Sequence, residues 1–155
     1  MMKMPNLGLG TFRLKDQPLR DSLLQGLDLG YRHIDTAQIY DNEAEVGQLM
    51  NESGIPRQDI YLTTKVWISE FGPGKVIPSL ELSLEKLGTD YLDLALIHWP
   101  SPQDEVPMAV YLEQLAEAKA QGLTREIGVS NFTVAQLQQA IEILGRAPSP
   151  TSRWR

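Results

Sequence analysis

Along the chain, short apolar runs alternate with longer stretches in which apolar residues recur every three or four positions. The first pattern suits strands and the second suits helices packed on one face. NLGLGTF reads as a first strand. A helix over 18–29 follows, with Leu19, Leu23 and Leu27 on one face and Gly30 as its stop. YRHID reads as the second strand. Asn42 is placed to cap the next helix, with Glu45 as its capping-box partner and Gly54 as its end. DIYLTTKVW is the third strand. The helix over 75–87 carries Pro78 near its first turn, where proline is tolerated, and ends at Gly88. YLDLALIHW is the fourth strand, and its nearly continuous apolar core suits burial on both faces. A helix over 108–121 stops at Gly122, and REIGVSNF is the fifth strand. Thr133 and Gln136 form a capping box for a fifth helix ending near Gly145.

Strand–helix units in unbroken succession imply a parallel sheet with right-handed crossovers. Pattern alone leaves two architectures, a doubly wound open sheet and an eight-stranded barrel. A barrel takes about 250 residues, and this chain has 155. Length by itself therefore favours the open sheet.

Composition changes this picture little but removes several functions. Apolar content is 42% and charged content 22%, which suits one globular domain rather than a disordered chain. The formal charge of -6 argues against a nucleic-acid partner, which needs a basic face. It still permits an anionic cofactor, held by a few local cations and backbone N–H groups. The absence of cysteine removes disulfides, thiolate metal sites and thiol nucleophiles, and no metal site is expected. It fits a cytoplasmic protein. No apolar run approaches a membrane span. MMKMPN runs into Gly and Leu without the apolar segment of a secretory leader.

The polar residues at the strand ends alter the architectural choice. Asp35 ends the second strand, Tyr40 lies in the loop after it, Lys65 ends the third strand and His98 ends the fourth. That edge of a parallel α/β fold is where sites are built. Taken singly, Asp35 reads as a cap or turn residue, Tyr40 as packing, Lys65 as a solvated cation and His98 as a satisfied buried histidine. His33 carries only such a structural reading. Taken together, the four compose a proton-transfer group. A phenol donates a proton reluctantly near neutrality, a neighbouring ammonium eases that transfer, a carboxylate holds the ammonium, and an imidazole orients the substrate oxygen. Such a set suits carbonyl reduction, in which an acid protonates the oxygen as hydride reaches the carbon.

The segments GLGTF, YRHIDTAQIYDNEAEVG, TTKVW, LDLALIHWP and REIGVSNF resemble those of the aldo-keto reductase family, in its order and at its spacing. The stretches IHWPSPQDEV and GLTREIGVSNFT resemble a bacterial branch acting on diketogluconate- or methylglyoxal-like carbonyls. The resemblance implies an α/β fold, residues 1–145 forming the N-terminal part of a TIM (β/α)8 barrel, about five β/α units. It implies an NADPH-dependent reductase of small aldehydes and ketones, with Asp35, Tyr40, Lys65 and His98 catalytic and Tyr40 the acid. Gly10, Thr11, Phe12, Asp35, Ser130 and Asn131 match cofactor-binding positions. Ile39, Trp67, Trp99 and His98 match the substrate pocket. Histidine at 98 favours reduction of carbonyls over carbon–carbon double bonds. The full-length form is expected to be a monomer. No Rossmann fingerprint is present, since Gly8 and Gly10 lack the third glycine, and the family binds its dinucleotide without one.

Two features depart from the family. Nothing in the chain matches its last three barrel strands. Residues 146–155, RAPSPTSRWR, lose all periodicity and read as an unstructured tail, translated out of frame. A five-strand portion would leave open sheet edges and favour self-association. A second reading therefore stands beside the enzyme: a truncated, non-catalytic fragment of one.

Overall fold

The structure, a computed structural model, describes residues 3–146. Of the tail expected over 146–155, Arg146 instead closes the last helix, and residues 147–155 lie outside the described residues. Strands β1 (Leu9–Gly10), β2 (His33–Asp35), β3 (Tyr61–Val66), β4 (Leu92–Ile97) and β5 (Thr124–Val129) alternate with helices α1 (Asp16–Asp28), α2 (Glu43–Glu52), α3 (Val76–Leu87), α4 (Met108–Ala120) and α5 (Val134–Arg146). All strand pairs are parallel, in the order β1-β2-β3-β4-β5. A doubly wound sheet reverses its strand order at a switch point. The unbroken sequential order here, with each helix packed on the next, is that of a partial barrel. Strand order sets aside the open sheet that length alone favoured and bears out the partial barrel implied by the family segments.

Register separates two faces. Ile34, Leu62, Val66, Ala95 and Ile97 face the helices and are fully buried against an apolar layer including Leu19, Leu23, Leu80, Leu87, Tyr111 and Leu115. The alternate residues, His33, Asp35, Thr63, Lys65, Leu94, Leu96 and Glu126, line the concave face. Gly47 lets α2 sit on the end of α3, since a Cβ there would lie 2.5 Å from the Leu87 carbonyl oxygen.

Two local expectations need correction. The strand expected over NLGLGTF pairs only at Leu9 and Gly10, because β1 has a single neighbour and β2 is itself only three residues long. The capping box at Asn42 does not form: its side chain makes no cap bond to α2. Asn42 instead accepts from Thr36 Oγ1 at 2.8 Å and donates to the Thr11 and Leu14 carbonyls, both at 3.0 Å. Glu45 accepts from the Asp16 backbone N–H. The Thr133–Gln136 box does form, with Thr133 N–H donating to Gln136 Oε1 at 2.9 Å and Gln136 N–H to Thr133 Oγ1 at 3.3 Å.

Candidate active site

The four predicted residues meet at the C-terminal end of the sheet. β2 delivers Asp35, and the chain then turns through a single 3-10 turn, Gln38–Tyr40, closed by Asp41 in the left-handed region. This brings Tyr40 back over the strand ends. β3 delivers Lys65, which is 6% exposed. Its ammonium donates to Asp35 Oδ1, to the Thr36 carbonyl at 2.9 Å and toward Tyr40 Oη at 3.4 Å. An ammonium has three N–H groups, so each has one of these partners. His98 follows β4, fixed by its N–H donating to the Val66 carbonyl at 3.1 Å. Its ring stands edge-on to Tyr40, centroids 5.6 Å apart, and to Trp67 at 5.2 Å.

Burial, and secondarily the Lys65 charge, hold the His98 pKa below the ordinary imidazole range. At neutral pH the ring is therefore neutral, with one N–H to donate. Its Nδ1 is buried with no hydrogen-bond partner among the described residues. A cavity of about 650 Å³ opens above the group, lined by Phe12, Ile39, Tyr40, Trp67, His98 and Trp99, among others. Ile39 and Trp99 are each 47% exposed at its rim.

The residues matched to cofactor positions occupy both flanks of this group. On β1, Gly10 pairs with Asp35, and a Cβ at Gly10 would meet no protein atom within 4 Å. Thr11 is buried, with its N–H and hydroxyl both directed at the Asp35 carbonyl, at 3.0 and 3.2 Å. Phe12 is exposed, its ring 5.1 Å from that of Tyr40. Beyond β5, Ser130 N–H donates to the Ile97 carbonyl at 2.8 Å, and Asn131 takes a positive φ of 62°. Asn131 Nδ2 donates to the His98 carbonyl at 2.9 Å and to Ser130 Oγ at 3.1 Å.

Sequence reasoning missed two contributors. Asn42 was read as a cap, yet it binds the β1–α1 loop to the β2–α2 loop beneath the site. Gln38 carried no signal at all, being one polar residue in a turn. Among the described residues, no cluster of His, Asp and Glu is arranged to hold a metal ion. No helix among them is long and apolar enough to cross a membrane.

The fold is a partial (β/α) barrel with an Asp–Lys–Tyr–His group at its C-terminal rim. Residues 6–150 match the model of the aldo/keto reductase family, and the chain belongs to that family. Methylglyoxal reductase DkgB of Escherichia coli O157:H7 is 58% identical over 144 residues, which are 93% of this chain and 54% of that protein. The DkgB of Yersinia pestis is 55% identical over 152 residues, 98% of this chain and 57% of its own. A crystal structure of a protein assigned by similarity alone as a 2,5-diketo-D-gluconic acid reductase B superposes with TM-score 0.86 at 48% identity, covering 90% of this chain and 49% of that one. A Bombyx mori aldo-keto reductase in complex with NADP superposes with TM-score 0.83 at 34% identity, covering 94% and 52%. The chain thus spans about half the length of the relatives it matches.

Proposed function

We propose that this chain carries the proton-donating half of an NADPH-dependent carbonyl reductase, acting on small aldehydes and ketones of the methylglyoxal or diketogluconate kind. The observation that carries the reading is Lys65, committed to Asp35 and Thr36 with its remaining N–H aimed at Tyr40 Oη in the cavity wall. The names of the relatives support the substrate class. A cytoplasmic setting fits a chain without cysteine.

The flanking residues fit a nicotinamide. The space beside Gly10 is open on the face that Asp35 shares, so a flat ring can lie against bare backbone there. Ser130 retains a hydroxyl proton to donate and Asn131 an Oδ1 to accept, the complement of a primary carboxamide. Gly10, Thr11, Phe12, Asp35, Ser130 and Asn131 would hold the group, with Thr11 acting as a buried brace. When bound, the reduced nicotinamide supplies hydride to the carbonyl carbon.

The chain's own residues handle the oxygen. Trp67, Trp99 and Ile39 wall the substrate and exclude water. The neutral His98 donates a hydrogen bond to the carbonyl oxygen and orients it toward Tyr40. Tyr40 Oη gives its proton as charge builds on that oxygen. Lys65 stabilises the charge left on Tyr40, and Asp35 keeps Lys65 charged and in place.

The test joins this chain to the remaining portion of a DkgB relative and follows NADPH oxidation with methylglyoxal and with a diketo acid. Turnover abolished by Tyr40→Phe supports the reading, and turnover indifferent to it sinks the reading. For the chain by itself, the placement of Gly10 on one outer strand and of Ser130 just beyond the other favours a non-catalytic state. We expect no turnover and a tendency to self-associate through the exposed Val134, Leu137 and Ile141 face of α5.

A further inference from the structure

We infer that Gln38 is a positioning residue that locks the turn carrying Tyr40 to the wall formed by Trp67. The inference rests on the function proposed above. Gln38 opens the 3-10 turn Gln38–Tyr40, two residues before the phenol. Its Oε1 accepts the Trp67 backbone N–H at 2.8 Å. Its Nε2 donates toward the Ser79 carbonyl at 3.2 Å, Ser79 Oγ at 3.1 Å and Ser83 Oγ at 3.2 Å. One amide thus joins three segments: the β2–α2 loop, the β3–α3 loop and helix α3.

The orientation of the amide follows from its partners. The Trp67 N–H can only donate and the Ser79 carbonyl can only accept, so the oxygen must face Trp67 and the nitrogen must face α3. Flipping the amide would oppose donor to donor and acceptor to acceptor. The contacts continue inward. Ser83, 1% exposed, adjoins the carboxyl of Glu43, which is 2% exposed, and favours its charged form. Glu43 Oε1 accepts from Thr64 Oγ1 on β3 at 2.5 Å. A buried polar string so runs from the Trp67 backbone through Gln38, Ser83 and Glu43 to the strand next to Lys65, and such networks hold geometry when each member is satisfied.

Position matters here because the contact it protects is long. Tyr40 Oη lies 3.4 Å from Lys65 Nζ, near the outer limit of a hydrogen bond. A shift of the turn by a few tenths of an ångström would break it. The same amide sets the backbone of Trp67, whose ring stands 5.2 Å from that of His98. Gln38 therefore fixes the acid and the pocket wall relative to each other without touching the reacting atoms.

The test has two arms. In this chain, backbone amide exchange is measured for Gln38→Leu, which loses both functions of the amide, and for Gln38→Glu, which keeps the acceptor. Exchange at Trp67 should rise by about tenfold or more in the leucine variant and by less in the glutamate variant, whose retained acceptor faces the Trp67 N–H while its second oxygen opposes the Ser79 carbonyl, with amides of β3 unchanged in both. In the reductase assembled with the DkgB portion, Gln38→Leu should lower kcat by about tenfold or more with the NADPH Kd unchanged. Unchanged Trp67 exchange, or unchanged kcat in an active assembly, overturns the inference. If the leucine variant fails to fold, Gln38→Met, which fills a similar volume with neither function of the amide, decides by the same Trp67 amide, since protection retained there contradicts the acceptor role. An inactive parental assembly would instead count against the proposed function, and the exchange arm would still judge the clamp.

Discussion

Two aspartates sit at opposite ends of the same sheet, each paired with cations, and they are built for different purposes. At the N-terminal end, Asp93 is 2% exposed and meets Arg57 Nη2 at 2.9 Å and Arg125 Nη1 at 3.1 Å, while accepting the Leu62 N–H at 3.0 Å. Arg57 also donates to Thr89 Oγ1 and to the carbonyls of Ile60 and Tyr91. Both guanidinium groups stack on the Tyr91 ring, at 4.1 and 3.9 Å. These strong donors point at protein atoms. At the C-terminal end, Asp35 is 34% exposed, and its partner Lys65 sends one N–H toward a phenol that borders a cavity. The first arrangement is closed and contributes stability. The second leaves reactive groups facing open space, which is how a site differs from a brace.

The sharpest test of this contrast is chemical. In the assembled reductase, Tyr40→Phe should cut turnover by about 10²–10⁴, the scale for losing a general acid, with NADPH affinity nearly unchanged. Lys65→Met should also cut turnover strongly. Neither change reaches the Asp93 cluster, so the cooperativity of urea unfolding should persist. Retention of more than about half the activity in Tyr40→Phe would contradict the assignment.

Asp93→Ala should do the reverse. It removes the carboxylate partner of two partly buried guanidinium groups and of the Leu62 N–H, so it should cost about 2–4 kcal/mol in urea unfolding, below the ~3–5 of a fully buried pair because Arg57 keeps other acceptors. Turnover of the molecules that remain folded should not change. A loss below about 1 kcal/mol would show that Arg57 and Arg125 are satisfied by other partners.

Asp35→Asn probes the other end with a smaller stability effect. Asp35 is about a third exposed, and pairs of that kind contribute roughly 0–1 kcal/mol. Unfolding free energy should therefore move by less than about 1 kcal/mol, while turnover falls because Lys65 loses its anchor. A stability loss as large as that of Asp93→Ala would erase the distinction between the two ends.

How much of this was legible beforehand follows the same division. The helix faces, the glycine stops and the meeting of Asp35, Tyr40, Lys65 and His98 at one edge could be read because periodicity and strand-end position are local signals. Periodicity and length could not choose between barrel and open sheet, since strand order is a property of the assembled sheet; the motif segments made that choice through their resemblance to a barrel family. Asn42 looked like a cap because the spacing to Glu45 is right for one. In the fold, the carbonyls of Thr11 and Leu14, some thirty residues away in sequence, compete for its side chain and win. Gln38 and Asp93 were invisible for a related reason. A polar side chain gains its role from backbone groups that only the tertiary structure brings near, and such groups leave no pattern in the sequence.

His33 lies on the concave face between the two ends and gives the smallest effect. Its ring nitrogen Nε2 is 3.0 Å from Thr63 Oγ1, and the ring stands edge-on to Tyr61 at 5.1 Å. Burial holds its pKa below the ordinary value of 6.5, against the opposing pull of Asp35 and Asp93 and with a further push from Lys65. The native imidazole therefore stays neutral at a pH where the unfolded one has begun to take up a proton. Unfolded chains then bind more protons than native ones, and stability falls as pH falls. The stabilising contribution is complete above 6.5 and is lost from there down toward the depressed native value. His98 acts in the same direction for the same reason. Glu43 acts oppositely, because burial raises its pKa above 4.5 and the native carboxyl gains its proton first on acidification. The histidine window opens at higher pH, so unfolding free energy should decline between about pH 7 and pH 6. His33→Gln, whose amide can still reach Thr63 but does not titrate, should flatten that decline. A slope identical to the parent's would mean that His33 is solvated in the native state and belongs to neither end's design.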